Sequence, residues 1–294
     1  MTQPGGLGMP RNLLQSVETF QDPGLDAWVR TAPGRIHQIA SQWSLEIGAP
    51  YQPGGTTAWV APVRRPDGSA AVLKVGWAHP EVEHEPDGLR LWAGEGTVLL
   101  YDLLRASDTT AMLLERCVPG TELGQSRPES EQDEVLARVL RRLWRAPPAG
   151  APFRPLAQMC DAWAAEYDAA PHPSLDHGLE RAALALFRSL PRDPVVEQVL
   201  ATDLHAGNVL AAEREPWLVI DVKPYVGDPC YDPLQHLYNC RERLFADPWG
   251  LADRVAQLCE VDSDRVRLWL FARTVVESAW APELAELVPR LAPR

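Results

Sequence analysis

The sequence predicts an α+β protein in two lobes, a small, mainly β N-terminal lobe and a larger, mainly helical C-terminal lobe. Three observations predict it. Strand-like apolar runs bounded by turn signals cluster between residues 58 and 116. From Glu131 onward the apolar side chains recur at helical spacing. Between the two patterns, the Pro-Gly break in CVPGTEL suits a hinge. Strands first and helices after is the order of an α+β chain, and 294 residues can bury a sizeable core. The organisation expected is a flexible terminus over 1–24, an N-terminal lobe over 25–116, a hinge over 117–121 and a C-terminal lobe over 122–294.

Taken in order, residues 1–24 are rich in Gly and Pro and have little periodicity, so a loose terminus is expected. Trp28, Val29, Ile36, Ile39, Ala40 and Trp43 have broadly helical spacing interrupted by Pro33 and Gly34, which predicts two short helices. Strands over 58–63 and 70–75 flank RRPDGS, where Asp67 and Gly68 signal a hairpin. Before the first strand, Gly54, Gly55, Thr56 and Thr57 form a short flexible turn whose backbone amides can approach phosphates. The second strand carries Lys74. This order of glycine turn, strand, hairpin and strand lysine is that of a kinase N-terminal, nucleotide-binding lobe. A carboxylate from HPEVEHEPDGLRLW would steer Lys74, with Glu81, Glu83 and Glu85 as candidates and Pro80 opening a helix. Residues 97–101 and 111–116 read as two more strands, and in the kinase arrangement the backbone of Glu115, Arg116, Cys117 and Val118 would hold an adenine edge.

In the second half, Val135, Leu136, Val139, Leu140, Leu143 and Trp144 make one amphipathic face, closed by Pro147 and Pro148. Further helices are expected over 156–167, 179–190, 232–245, 251–259 and 265–281. Their apolar faces are core and receive no chemistry.

Among these helices lies the stretch from Val199 to Asp232. Apolar runs at 208–210 and 217–220 flank the charged AEREP as a strand pair, and the second run ends in Asp221. Such a hairpin would gather Asp203, Asn208 and Asp221. One amide and one carboxylate suit a magnesium ion that keeps few protein ligands and shares nucleotide phosphates. Asp203, five positions before Asn208, is left to orient a hydroxyl and accept its proton, as in the catalytic loop of protein kinases.

DLHAGNVLAAEREPWLVID followed by KPYVGDPCYD strongly resembles the aminoglycoside and hydroxyurea antibiotic-resistance kinases, particularly the streptomycin 6-phosphotransferase type. The resemblance runs from about Trp28 to Trp280. It implies a protein-kinase-like two-lobe fold and transfer of the γ-phosphoryl group of ATP to a hydroxyl of a small molecule. By this likeness Asp203 is the catalytic base and Asn208 and Asp221 are the Mg2+ ligands. Glu85 is the favoured partner of Lys74, although Pro86 directly follows it. The acceptor pocket falls among C-terminal helices, which makes Glu277 and Trp280 candidate substrate contacts. Asp232 is a third candidate, although Asp228 and Asp232 are more often residues that fix a loop and cap a helix. Family members usually carry His two positions before the Asp; here the positions are Ala201 and Thr202. Two alternatives stay open, a kinase for hydroxyurea, an amino sugar or another metabolite, and a catalytically silent nucleotide-binding regulator.

A net charge of −12 argues against a nucleic-acid partner and is compatible with a cationic acceptor such as an aminoglycoside. Five cysteines at irregular spacing read as reduced, mostly buried thiols. The absence of a signal-like start and of a long apolar run predicts a cytoplasmic protein with no membrane partner. Oligomeric state is not readable. Only two of the 28 basic residues are lysines, Lys74 and Lys223, which hints at sites that need a compact ammonium.

Overall fold

The computed structural model of the chain describes residues 7–169 and 172–293. The described residues form two compact units, one ending at Gly120 and the other starting at Thr121. The first holds helices α1 (Arg11–Phe20) and α2 (Pro23–Gln42), strands β1 (Glu46–Ile47), β2 (Ala58–Arg64) and β3 (Ala70–Trp77), helix α3 (Glu85–Trp92), and strands β4 (Leu100–Arg105) and β5 (Thr109–Glu115). Its sheet is antiparallel throughout, in the order β1-β2-β3-β5-β4.

Strand alternation decides what this sheet buries. Trp59, Ala61 and Val63 of β2, Ala71, Leu73 and Val75 of β3, and Ala111 and Leu113 of β5 pack on Leu25, Trp28, Ala32, Ile36 and Ile39 of α2. Each large side chain so buried contributes about 1.5 to 3 kcal/mol. Lys74, between Leu73 and Val75, therefore faces away from α2, in register with Val60 and Met112 on the flanking strands.

Two expectations are corrected here. Residues 11–20 are helical, with Leu13 and Ser16 buried. What orders them is long-range: Asn12 donates from its amide to the Pro53 carbonyl and from Nδ2 to the Gly54 carbonyl, and Trp59 Nε1 donates to Gly8. Of the expected loose terminus over 1–24, residues 1–6 lie outside the described residues. The second correction is that α2 is continuous through Pro33. A mid-helix proline costs about 3 kcal/mol, but the apolar stripe continues on both sides of it, and burying that stripe outweighs the lost amide bond. Strand β4 also begins later and runs further than 97–101, because its pairing with β5 extends to Arg105.

The second unit contains α4 (Leu123–Ser126), α5 (Glu129–Leu143), β6 (Arg154–Pro155), α6 (Leu156–Ala169), α7 (His177–Ser189), β7 (Gln198–Leu200), β8 (Val209–Ala211), β9 (Trp217–Val219), β10 (Tyr225–Gly227), α8 (Leu234–Asn239), α9 (Arg241–Ala246), α10 (Pro248–Cys259), α11 (Ser263–Glu277) and α12 (Val288–Leu291). Helix α11 buries Trp269, Leu270, Phe271, Val275 and Val276. The single helix expected over 232–245 is two, meeting at Cys240. The three-stranded sheet β6-β10-β7 was not expected, since strands of two or three residues show no period. Buried Asp133 of α5 accepts from His236 of α8 at 2.8 Å, Arg243 of α9 at 2.7 Å and Arg254 of α10 at 2.8 Å. Burial alone would raise its carboxyl, yet these three donors hold it well below the usual carboxylate range. No helix among the described residues is long and apolar enough to cross a membrane.

Candidate active site

In the first unit, Lys74 Nζ lies 2.7 and 2.8 Å from the two carboxylate oxygens of Glu85. The pair is well buried, with side-chain exposures of 12% and 3%. Pro86 does not obstruct it. The chain makes a separate 3-10 turn at Pro80–Val82 and begins α3 at Glu85, so Pro86 falls in the first helical turn, where a missing amide hydrogen is harmless. Of the other candidates, the Glu83 carboxylate lies 3.8 Å from His84, and the side chain of Glu81 lies outside the described residues.

The turn before β2 is tied to the N-terminal segment. Gly54 has φ 80° and its missing Cβ would stand 2.4 Å from Pro10, so only glycine fits there. Gly55 and Thr56 are exposed, Thr57 is half-buried, and the Thr57 carbonyl accepts from Trp77. After β5, the Glu115 carboxylate accepts the Leu99 amide at 3.0 Å and the Glu115 amide donates to the Leu99 carbonyl at 2.9 Å. Cys117 is half-buried, and its carbonyl approaches Gly120, whose φ of 77° and tight surroundings again require glycine.

In the second unit, the structure brings Asp203, Asn208 and Asp221 to one hairpin. A 3-10 turn at Ala206–Asn208 leads into β8, and the Ile220 amide donates to the Asn208 carbonyl at 2.9 Å, so Asp221 follows directly beside Asn208. Asn208 Nδ2 donates to the Asp203 carbonyl at 3.0 Å, which identifies Oδ1 as the side chain's acceptor atom. Oδ1 and the Asp221 carboxylate are hard oxygen donors of the kind magnesium prefers. His205 caps the turn by accepting the Gly207 amide at Nδ1, and burial holds its imidazole below the ordinary value against the pull of Asp203 and Asp221.

Two residues near this hairpin have left-handed backbone without being glycine, Thr202 with φ 52° and Asp221 with φ 57°. For a β-branched residue this is strained, by on the order of 1 to 3 kcal/mol. Asp232 holds Thr202 in place. Its carboxylate accepts the Ala201 amide at 3.0 Å, the Thr202 amide at 2.6 Å and Trp144 Nε1 of the α5 end at 2.8 Å. Asp232 is fully buried, and burial pushes its carboxyl up to about 6 against those three donors. The expectation that Asp232 contacts substrate is therefore corrected: both oxygens serve the loop. Nor do Asp228 and Asp232 cap α8, whose N-cap is Pro233 without a side-chain bond. Asp228 instead accepts from Arg265 and from Trp269 Nε1, anchoring α11.

Lys223 joins the same loop, with Nζ 3.1 Å from Asp203 Oδ2. The scarcity of lysine in the sequence marks Lys223, two residues after Asp221, but no local pattern pairs it with Asp203, or Thr202 and Trp144 with Asp232.

Glu277 and Trp280 stand at another place, the C-terminal end of α11. The Arg273 guanidinium, close to the rings of Trp163, Tyr231 and Tyr238, binds Glu277 at 2.8 Å. Trp280 is 51% exposed, edge-on to Trp163, and so is not the buried indole of a core face. Asp133, His236 and Cys240 form the one group of three His, Cys, Asp or Glu side chains among the described residues whose ligand atoms lie within 4.8 Å of one another. The guanidinium groups of Arg243 and Arg254 already meet Asp133, so a metal there would face two cations.

Residues 45–284 match the sequence model of the aminoglycoside/hydroxyurea antibiotic resistance kinases. The chain is 33% identical over 292 residues to a streptomycin 6-kinase of Streptomyces griseus, covering 95% of this chain and 92% of that protein. It is 35% identical over 270 residues to a hydroxyurea phosphotransferase of Kitasatospora aureofaciens, covering 88% and 76%. Among solved structures, choline kinase LicA from Streptococcus pneumoniae superposes with a TM-score of 0.56 at 12% identity, over 87% of this chain and 91% of that one, a likeness of fold.

Proposed function

The chain belongs to the aminoglycoside/hydroxyurea antibiotic resistance kinase family, and from that premise we propose that it transfers the γ-phosphoryl group of ATP to a hydroxyl of a streptomycin-type aminoglycoside. The observation that carries the chemistry is the hairpin in which Asn208 Nδ2 bonds the Asp203 carbonyl while the Ile220 amide bonds Asn208. It gathers two carboxylates and one amide oxygen, the donor set that phosphoryl transfer uses.

In this reading each unit contributes its own groups. In the first, the backbone of Glu115 and Cys117 holds the adenine edge, the turn Gly54 to Thr57 offers amides to the phosphates, and Lys74, oriented by Glu85, binds them. In the second, Asn208 Oδ1 and Asp221 would hold magnesium, which when bound supplies positive charge against the phosphate oxygens. Asp203 orients the acceptor hydroxyl and takes its proton as the phosphoryl group leaves the nucleotide. Exposed Trp280 offers an apolar face to the acceptor, and Glu277 a carboxylate already half-neutralised by Arg273. The five cysteines, none of them in a disulfide, fit a reducing, cytoplasmic compartment.

The similarity to a hydroxyurea phosphotransferase favours a second reading, in which hydroxyurea is the acceptor. Both readings are tested by following ADP formation from ATP and magnesium with streptomycin, other aminoglycosides, hydroxyurea and glucosamine. Streptomycin is expected to stimulate turnover most. Asp203→Asn is expected to lower stimulated turnover by roughly 10² to 10⁴ while still binding nucleotide. No stimulation by any acceptor, or full activity of the variant, would overturn the reading.

A further inference from the structure

Lys223 directs three polar groups at three consecutive residues. Its amide donates to the Ala201 carbonyl at 3.0 Å, its carbonyl accepts from Thr202 Oγ1 at 2.5 Å, and its ammonium lies 3.1 Å from Asp203 Oδ2. The first two bonds fix the backbone on which Asp203 stands. The third reaches the carboxylate itself, and an aspartate side chain turns freely about two bonds unless something holds it.

The choice of residue is informative. Arginine supplies every basic position in the chain except Lys74 and Lys223, and each lysine meets a carboxylate in its own unit, Glu85 and Asp203. An ammonium is a compact point charge, whereas a guanidinium is a planar fork of fixed geometry; Lys74 meets both oxygens of Glu85. Lys223 meets Asp203 at Oδ2.

We propose that Lys223 is a positioning residue for phosphoryl transfer, its ammonium holding the Asp203 carboxylate in the orientation that receives the acceptor's proton. The proposal rests on the phosphotransferase reading above. The ammonium's part is separable from that of the backbone, since Lys223→Met keeps both backbone bonds and removes only the charge.

The experiment measures kcat, KM for ATP and acceptor, and thermal melting for the parent, Lys223→Met, Lys223→Arg, Asp203→Asn and the Lys223→Met/Asp203→Asn pair. Lys223→Met is expected to lower kcat by about 10²-fold, the scale of a misaligned reacting group, with both KM values within about threefold of the parent. Lys223→Arg should recover about tenfold of that loss, because charge is restored with poorer geometry. If Lys223 acts through Asp203, the double variant is no slower than Asp203→Asn alone. Parent-like kcat in Lys223→Met overturns the proposal, as does a loss that adds fully to that of Asp203→Asn or comes with a lowered melting temperature and no recovery by arginine. An active parent with these results fails the proposal alone. A parent that phosphorylates none of the acceptors fails the functional reading and the proposal with it.

Discussion

Two lysine–carboxylate pairs invite comparison. Lys74 and Glu85 stand on regular elements, the central strand of a sheet and the first turn of a helix, and are almost fully buried. Lys223 and Asp203 stand on loops, with side-chain exposures of 30% and 20%, beside two non-glycine residues in left-handed conformation. The first pair is positioned by the sheet, whose register places Lys74 between Val60 and Met112. The second has no register to rely on. It is positioned by a buried carboxylate, Asp232, and by backbone bonds of Lys223. A half-buried ion pair that stays in contact with water adds only on the order of 1 kcal/mol to stability, so what the loop pair supplies is orientation.

The largest effect expected from breaking this contrast is that of Asp232→Ala. It removes the acceptor for the Ala201 and Thr202 amides and the Trp144 indole. Each buried donor left unpaired costs about 1 to 3 kcal/mol, so urea unfolding should show a loss of at least about 3 kcal/mol. A parent-like unfolding midpoint would mean that the loop holds itself. Next is Glu85→Gln, which removes the charge opposite Lys74 without touching the second unit. Steady-state kinetics should show kcat/KM for ATP reduced by roughly 10²-fold and an unchanged KM for the acceptor; equal damage to both would mean that the two pairs are not independent. The smallest effect is that of Thr202→Gly. Relief of about 1 to 3 kcal/mol of left-handed strain opposes the loss of one hydrogen bond, about 1 kcal/mol, and the extra freedom of the unfolded glycine chain, about 0.5 to 1 kcal/mol. The unfolding free energy should stay within about 1 kcal/mol of the parent, and a much larger fall would show that Thr202 Oγ1 is a main tether.

The same contrast governs how much of the molecule could be read from its residues. Lys74 on an alternating apolar strand, the hairpin signal of Asp67 and Gly68, and the pair of short runs around AEREP all have local patterns, and the strands lie where those patterns place them. The order of residues at Asp203, Asn208 and Asp221 likewise anticipates the hairpin that joins them. The helix at Arg11–Phe20 and the unbroken α2 were not legible, because distant partners at Pro53 and Gly54 order the one and a continuous buried face sustains the other.

The sequence by itself determined the α+β order, the strand that carries Lys74 and the spacing that brings Asn208 to Asp221, since side-chain period and turn chemistry act over a few residues. Only the tertiary structure decided that Glu85 opens its own helix, that Asp232, 31 residues along the chain, holds the Ala201 amide, and that the second lysine meets Asp203. The last two are polar bonds between loops. A loop's polar groups are committed to partners only after the chain has closed around them, and the pattern of neighbouring residues holds no record of which distant groups those will be.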